Sequence, residues 1–234
     1  MSDERLEQLA RSHRLAADAS DRLCALLEIL ASDPQAPSAV TDRDAAIDRH
    51  VADSLSALAL PAVRDARAIA DIGSGAGLPG LALAIALPDA QVALVESVAK
   101  RCAFLERARR ATASDNATVV CVRAESWAEG IGAHDVVTAR AVGPLALLCE
   151  YAAPLLADGG TLVAWKGAAA AAERAAGDRA AAELGLEPAG AIRTRPYPGS
   201  ADHRLYAYVK TAETPARFPR RPGIARKRPL GAVR

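Results

Sequence analysis

The sequence predicts an α/β protein: a mostly parallel sheet between helices, ending in an antiparallel hairpin. Three observations carry this. From residue 67 onward short apolar runs alternate with helical stretches, as repeated βαβ units require. A glycine-rich segment, Asp71-Ile72-Gly73-Ser74-Gly75-Ala76-Gly77-Leu78-Pro79-Gly80, closes the first of those runs. The last two runs, 189–197 and 203–210, are joined only by Pro198-Gly199-Ser200-Ala201-Asp202. That link is too short for a helical crossover, so the final strand must run antiparallel to its neighbour.

Taken in order, residues 4–31 read as one helix, with Leu6, Leu9, Leu15, Leu23, Leu26, Leu27 and Leu30 at helical spacing. Asp33-Pro34 through Pro37-Ser38 ends it. A second helix over 43–58 places Ile47, Val51, Leu55 and Leu58 on one face. Strands follow at 67–72, 91–96, 117–122, 134–139 and 160–165, with helices at 79–87, 98–113, 144–157 and 168–184 between them. The alanine run 168–172 opens a helix, because Glu173-Arg174 and Glu183-Leu184 continue it. The organisation is a helical cap (1–60), a sheet domain (61–213) and a basic tail (214–234).

The chain has 234 residues, 51% hydrophobic, 24% charged and 3% aromatic, which suits one domain with a sizeable core and excludes a disordered chain. Roughly a quarter of it is alanine, so aliphatic side chains supply the core. The net charge of +1 is an average over two regions: seven of the 29 basic residues follow Glu213, while none of the 28 acidic ones does, leaving −6 on the body and +7 on the tail. Cys24, Cys102, Cys121 and Cys149 form no metal-ligand spacing, and reduced thiols in a cytosolic protein are expected, with neither zinc nor a disulfide framework. No stretch approaches the ~18–20 apolar residues that span a bilayer, and Met1-Ser2-Asp3-Glu4-Arg5 does not open a signal peptide.

The glycine segment overlaps two motifs. Gly75, Gly77 and Gly80 satisfy the dinucleotide pattern G-x-G-x-x-G, with Glu96 at the place of a ribose-binding acid. Asp71, Gly73, Gly75 and Gly77 satisfy the D-x-G-x-G-x-G loop of methyltransferases that use S-adenosyl-L-methionine and release S-adenosyl-L-homocysteine. That cofactor carries a sulfonium and an ammonium but no pyrophosphate, so an acid beside the loop suits it and would repel a dinucleotide's phosphates. With the terminal hairpin, this favours the class I, Rossmann-like methyltransferase layout. An NAD(P)-dependent dehydrogenase stays the rival. Glu96 can accept both ribose hydroxyls, and the backbone of Ala124-Glu125, after the third strand, lies where an adenine edge would be read.

Together with Arg49-His50-Val51-Ala52-Asp53-Ser54, Val95-Glu96-Ser97-Val98-Ala99-Lys100-Arg101, Arg123-Ala124-Glu125, Thr138-Ala139-Arg140-Ala141-Val142 and Trp165-Lys166-Gly167, this loop resembles one family. The family is that of the bacterial 16S ribosomal RNA guanine-N7 methyltransferases, also called glucose-inhibited division protein B. The tail from Phe218 to Leu230 is similar to the family's basic, proline-rich ending. The resemblance implies methylation of a guanine N7 in 16S rRNA or the 30S subunit, with cofactor contacts at Gly73, Leu78, Ala124, Glu125 and Arg140. It makes Arg140, Lys166, His50 and Asp53 candidates on the substrate side, His50 and Asp53 because residues three apart on a helix can meet. Segment 32–41 departs from the family's pattern, only Val40-Thr41 matching it, and no substrate contact is carried over there.

Guanine N7 carries a lone pair and no proton, so the reaction needs no general base; Arg140 or Lys166 could hold the neighbouring O6. The tail residues Arg220, Arg221, Arg226, Lys227 and Arg228 are expected to meet phosphates, from a segment left extended until RNA orders it. Lys100 and Arg101 extend that surface, as could Arg107, Arg109 and Arg110. A monomer without metal or membrane partner is expected. A methyltransferase acting on another RNA or a small molecule shares every cofactor residue and stays open, as does a non-enzymatic RNA-binding module.

Overall fold

A computed structural model of the chain describes residues 2–38, 40, 42–200 and 202–231. Ala39, Thr41, Ala201 and Arg234 lie outside the described residues. Seven strands are found among them: β1 (Ala68–Ile72), β2 (Gln91–Val95), β3 (Ala117–Val120), β4 (His134–Arg140), β5 (Leu156–Lys166), β6 (Leu186–Thr194) and β7 (His203–Lys210). They form one sheet in the order β3-β2-β1-β4-β5-β7-β6. The pairs among β1 to β5 are parallel, and β7 is antiparallel to both β5 and β6. The central strands are buried on both faces, which is why β1 and β4 read as near-continuous apolar runs.

Helices α6 (Gly80–Ala86) and α7 (Ala99–Ala111) cover one face of the sheet; α8 (Leu145–Ala152) and α9 (Ala171–Glu183) cover the other. Every residue of α6 is buried, as expected of a helix apolar on all sides. The N-terminal region is not one helix over 4–31 but two, α1 (Ser2–Ser12) and α2 (Ala19–Ser32). Arg14 takes a left-handed φ of 55°, which breaks the run and lets α1 fold back so that Leu6 and Leu23 enter the same core as Leu83 and Phe104.

The stretch 43–58 is helical but irregular: α3 (Arg43–Ala46), a π-helical stretch Ile47–Ala52, α4 (Asp53–Leu55) and a 3₁₀ turn Ser56–Ala59. The Asp42 carboxylate caps its start by accepting the Ala45 N–H at 2.7 Å. Trp165 on β5 donates its indole N–H to the Asp53 carbonyl at 3.0 Å, fastening this segment to the carboxyl end of β5. α5 (Pro61–Arg64) leads into β1.

Three further expectations are corrected. β6 begins at Leu186 rather than 189, because an edge strand tolerates Pro188, which sits beside a register irregularity between Pro188 and Gly190. The tail is folded: Phe218 and Ala225 are buried in the α8–α9 core, and α10 (Ile224–Lys227) lies within it. Its apolar side chains outweigh the prolines that suggested an extended arm. Cys102 and Cys121 are disulfide-bonded, with Cα atoms 5.8 Å apart, because the end of β3 lies beside the first turn of α7; Cys24 and Cys149 are free. No helix of the described residues is long and apolar enough to cross a membrane.

Candidate active site

The loop after β1 passes through Gly73, Gly75 and Gly77, all with positive φ. A Cβ on Gly73 would fall 2.7 Å from the Val142 methyl, so only glycine lets this loop abut the segment that follows β4. Asp71 is not among the residues lining the pocket beside this loop. It is buried, accepts the Thr138 hydroxyl at 2.8 Å and the Gly80 N–H at 3.2 Å, and so ties β1 to β4 and to the start of α6. Burial pushes its carboxyl up to about 6, against the hydrogen bonds that favour the carboxylate. This corrects its expected role as a cofactor contact. It also bears on the dinucleotide reading, since the helix N–H that would greet a pyrophosphate is already taken by a carboxylate.

A pocket of about 350 Å³ opens beside this loop at the carboxyl ends of β1, β2 and β4. Gly73, Glu96, Ala124, Glu125 and Arg226 are among its walls. Glu96 is buried and held rigidly: one oxygen accepts the N–H groups of Ser97 and Val98 at 2.7 and 2.9 Å, the other that of Gly75 at 3.2 Å. A carboxylate has about four acceptor sites and three are taken, so the oxygen that accepts Gly75 retains capacity for a ribose hydroxyl. The donor set fits an adenosine: an acid at the β2 end and backbone beyond β3. Gly75 serves by anchoring Glu96, while Gly77 and the Leu78 side chain pack inward, Leu78 into the core.

A second pocket, of about 380 Å³, shares Ala141 with the first. Asp53, Arg140, Trp165, Lys166, His203 and Arg204 line it. Ala141 holds a left-handed φ of 60°, a conformation alanine rarely adopts and one that concentrates at functional sites. Asp53 is the hub. Its carboxylate accepts Arg140 at 3.0 Å through one oxygen and meets His203 Nδ1 at 2.9 Å through the other. Arg140 therefore turns toward the second pocket and not, as expected, toward the cofactor; the residues after it, Ala141 and Val142, wall the first pocket.

His50 does not pair with Asp53. A π-helical turn holds more than 3.6 residues, so positions three apart no longer face the same way. His50 Nε2 instead meets Ser38 Oγ at 2.9 Å, and burial, helped by the Arg140 charge, lowers its pKa to about 4, so it is neutral at pH 7. The divergent 32–41 segment thus has a packing role through Ser38. Lys166 is engaged by Glu173 at 2.8 Å and by the Gly143 carbonyl at 3.0 Å, leaving one ammonium hydrogen for a ligand. His203 was missed in the sequence; its only signal was a lone histidine opening a strand.

Of the expected RNA contacts, Arg220 is held by Glu150 and Arg101 lies 3.7 Å from Glu96 in the first pocket. Arg107 is paired with Asp33, and Arg109 and Arg110 with Glu106. Lys100, Arg221, Arg226, Lys227 and Arg228 are exposed, and Arg226 also lines the first pocket. Among the described residues no group of three or more His, Cys, Asp or Glu is placed to hold a metal ion.

The model of the GidB family, described as rRNA small subunit methyltransferase G, matches residues 37–191. Two proteins named ribosomal RNA small subunit methyltransferase G are similar along most of the chain. That of Rubrobacter xylanophilus is 41% identical over 187 residues, 77% of this chain and 72% of its own. That of Carboxydothermus hydrogenoformans is 40% identical over 197 residues, 82% and 83%. Among solved structures, a predicted O-methyltransferase of Agrobacterium tumefaciens, protein Atu636, superposes with a TM-score of 0.53 at 24% identity, covering 69% of this chain and 81% of that one; this likeness concerns the fold.

Proposed function

Because the chain belongs to the rRNA small subunit methyltransferase G family, we propose that it transfers the methyl group of S-adenosyl-L-methionine to N7 of a guanine in 16S ribosomal RNA. The observation that carries this reading is the pair of pockets sharing Ala141 at the carboxyl edge of the sheet, where such folds bind ligands. One is shaped and charged for an adenosine; the other is lined by Arg140, Lys166, Arg204 and His203 around a single carboxylate, Asp53.

Bound in the first pocket, the cofactor supplies an electrophilic methyl on a sulfonium. Glu96 holds the ribose, and the backbone of Ala124 and Glu125 reads the adenine. N7 offers an in-plane lone pair and no proton, so the residues need not remove one. Their work is alignment: Asp53 fixes the Arg140 guanidinium, which donates to O6 beside N7 and sets the base in line with the methyl. Lys166 and Glu173 brace the Gly143 to Leu145 turn, whose Gly143 lines the second pocket.

The target base must be unstacked to enter, as RNA readers generally require. Exposed Arg49, Arg193 and Arg195 join Lys100, Arg221, Lys227 and Arg228 as candidate phosphate contacts. The helical cap (1–60) and the sheet domain (61–213) act together, since Asp53 comes from the first and Arg140 from the second. A monomer working in the cytoplasm without a metal ion completes the reading.

The test is transfer of labelled methyl from S-adenosyl-L-methionine to unmodified 30S subunits and to protein-free 16S rRNA, with the product base mapped. Label on a single guanine at N7 is expected. Absence of transfer to rRNA in every assembly state overturns the reading.

A further inference from the structure

The tail concentrates charge that invites a phosphate-binding role, yet its folded form points elsewhere. It is pinned along its length. Phe218 and Ala225 are buried, and Leu230 packs against the same core. Arg220 grips Glu150 with two nitrogens, and Glu150 is 2% exposed, so this pair is an anchor whose loss would strand a buried carboxylate. Arg220 also donates to the Arg228 carbonyl at 2.9 Å, closing the segment on itself. Arg217 pairs with Glu183 at 2.9 Å, and Arg179 donates to the Gly231 carbonyl at 2.7 Å.

One of these fastenings reaches the first pocket. The Gly223 N–H donates to Glu125 at 3.1 Å, and Gly223 has a left-handed φ of 81° that turns the chain into α10. Arg226 thereby stands at the pocket wall with Glu125 and Tyr151. Glu96 marks the ribose at the β2 end, so the wall formed by Glu125, Tyr151 and Arg226 lies at the adenine end. A planar guanidinium there can stack on a purine or donate to its ring nitrogens.

We propose that residues 218–228 form a strap that is the outer wall of the cofactor pocket, with Arg226 as its contact to the adenine of S-adenosyl-L-methionine. The inference rests on the proposed function and deepens its cofactor site. It moves Arg226 from the RNA surface to the cofactor, and makes the strap a part of the fold on which that site depends.

Truncation at residue 213 is a poor test, because it strips Phe218 from the core and strands Glu150. R226A in the full chain keeps both. Titration calorimetry with S-adenosyl-L-homocysteine should show a Kd raised about tenfold, as for loss of one charged contact, and R226K should not restore it because an ammonium neither stacks nor forks. Thermal melting of R226A should match wild type, and the slope of log K against log salt for 16S rRNA binding should be unchanged. A Kd within twofold of wild type, or a slope reduced by about one as for a lost phosphate contact, overturns the proposal alone. A wild-type chain that binds no S-adenosyl-L-homocysteine overturns the functional reading and this inference together.

Discussion

The pocket proposed for the cofactor takes Gly73, Glu96 and Ala124 from three loops that each follow a strand, with Tyr151 and Arg226 added at its outer wall, whereas the pocket beside it takes its whole charged lining, Asp53, Arg140, Lys166, His203 and Arg204, from distant parts of the chain. Asp53 and His203 alone are 150 residues apart in sequence. At its Glu96 end the first pocket is held by short local hydrogen bonds, such as those of Ser97 and Val98. The second is held by one buried carboxylate shared between an arginine and a histidine. A locally built site tolerates change in its neighbour; a site built around one hub should lose its geometry when the hub is removed.

The sharpest way to break this contrast is Asp53→Ala. It releases Arg140 and His203 at once, and misalignment of the reacting atoms costs about 100-fold in rate. Single-turnover methyl transfer at saturating cofactor should fall by about that factor, while S-adenosyl-L-homocysteine affinity stays within twofold. An equal loss of affinity would mean that the two pockets are energetically one.

Glu96→Ala probes the other side. Loss of charged hydrogen bonds should raise the cofactor Kd by about 10- to 100-fold by calorimetry, with the rate at saturation little changed. A fall in saturated rate matching that of the Asp53 variant would erase the division of labour.

The smallest effect belongs to Asp71, which lines neither pocket. Its folded pKa of about 6 lies above the ~3.9 of an unfolded aspartate, so the folded state binds more protons between those values. Its contribution to stability is therefore present at low pH and declines as pH rises, by about 2 kcal/mol between about pH 4 and pH 7. Denaturant melts of wild type and Asp71→Asn across that range should differ by this slope. A difference independent of pH would mean that the carboxyl is not raised.

The strands, their order along the chain and the glycine loop were legible because they depend on local pattern: apolar runs of strand length, a loop where side chains are excluded, an acid at the next strand end. Asp71 was misread for a related reason. A motif marks where a carboxylate sits but not which way it points, and here Thr138 and Gly80 claim it. The His50–Asp53 pairing failed because ordinary helical spacing was assumed through a π-helical stretch. The Cys102–Cys121 bond could not be read from spacing, since it needs β3 and α7 to be adjacent.

By itself, then, the sequence determined the α/β class, the hairpin ending, the glycine loop with an acid at the next strand end and the family to which they belong. Tertiary structure decided that Asp53 meets His203, that Arg140 faces the second pocket, and that a tail of net positive charge lies folded against α8. The physical reason is the reach of the forces involved. Backbone pattern and glycine conformations act over a few residues, whereas the partner of a buried charge is chosen by whichever elements the sheet order brings together. For Glu150 that partner is Arg220, 70 residues away.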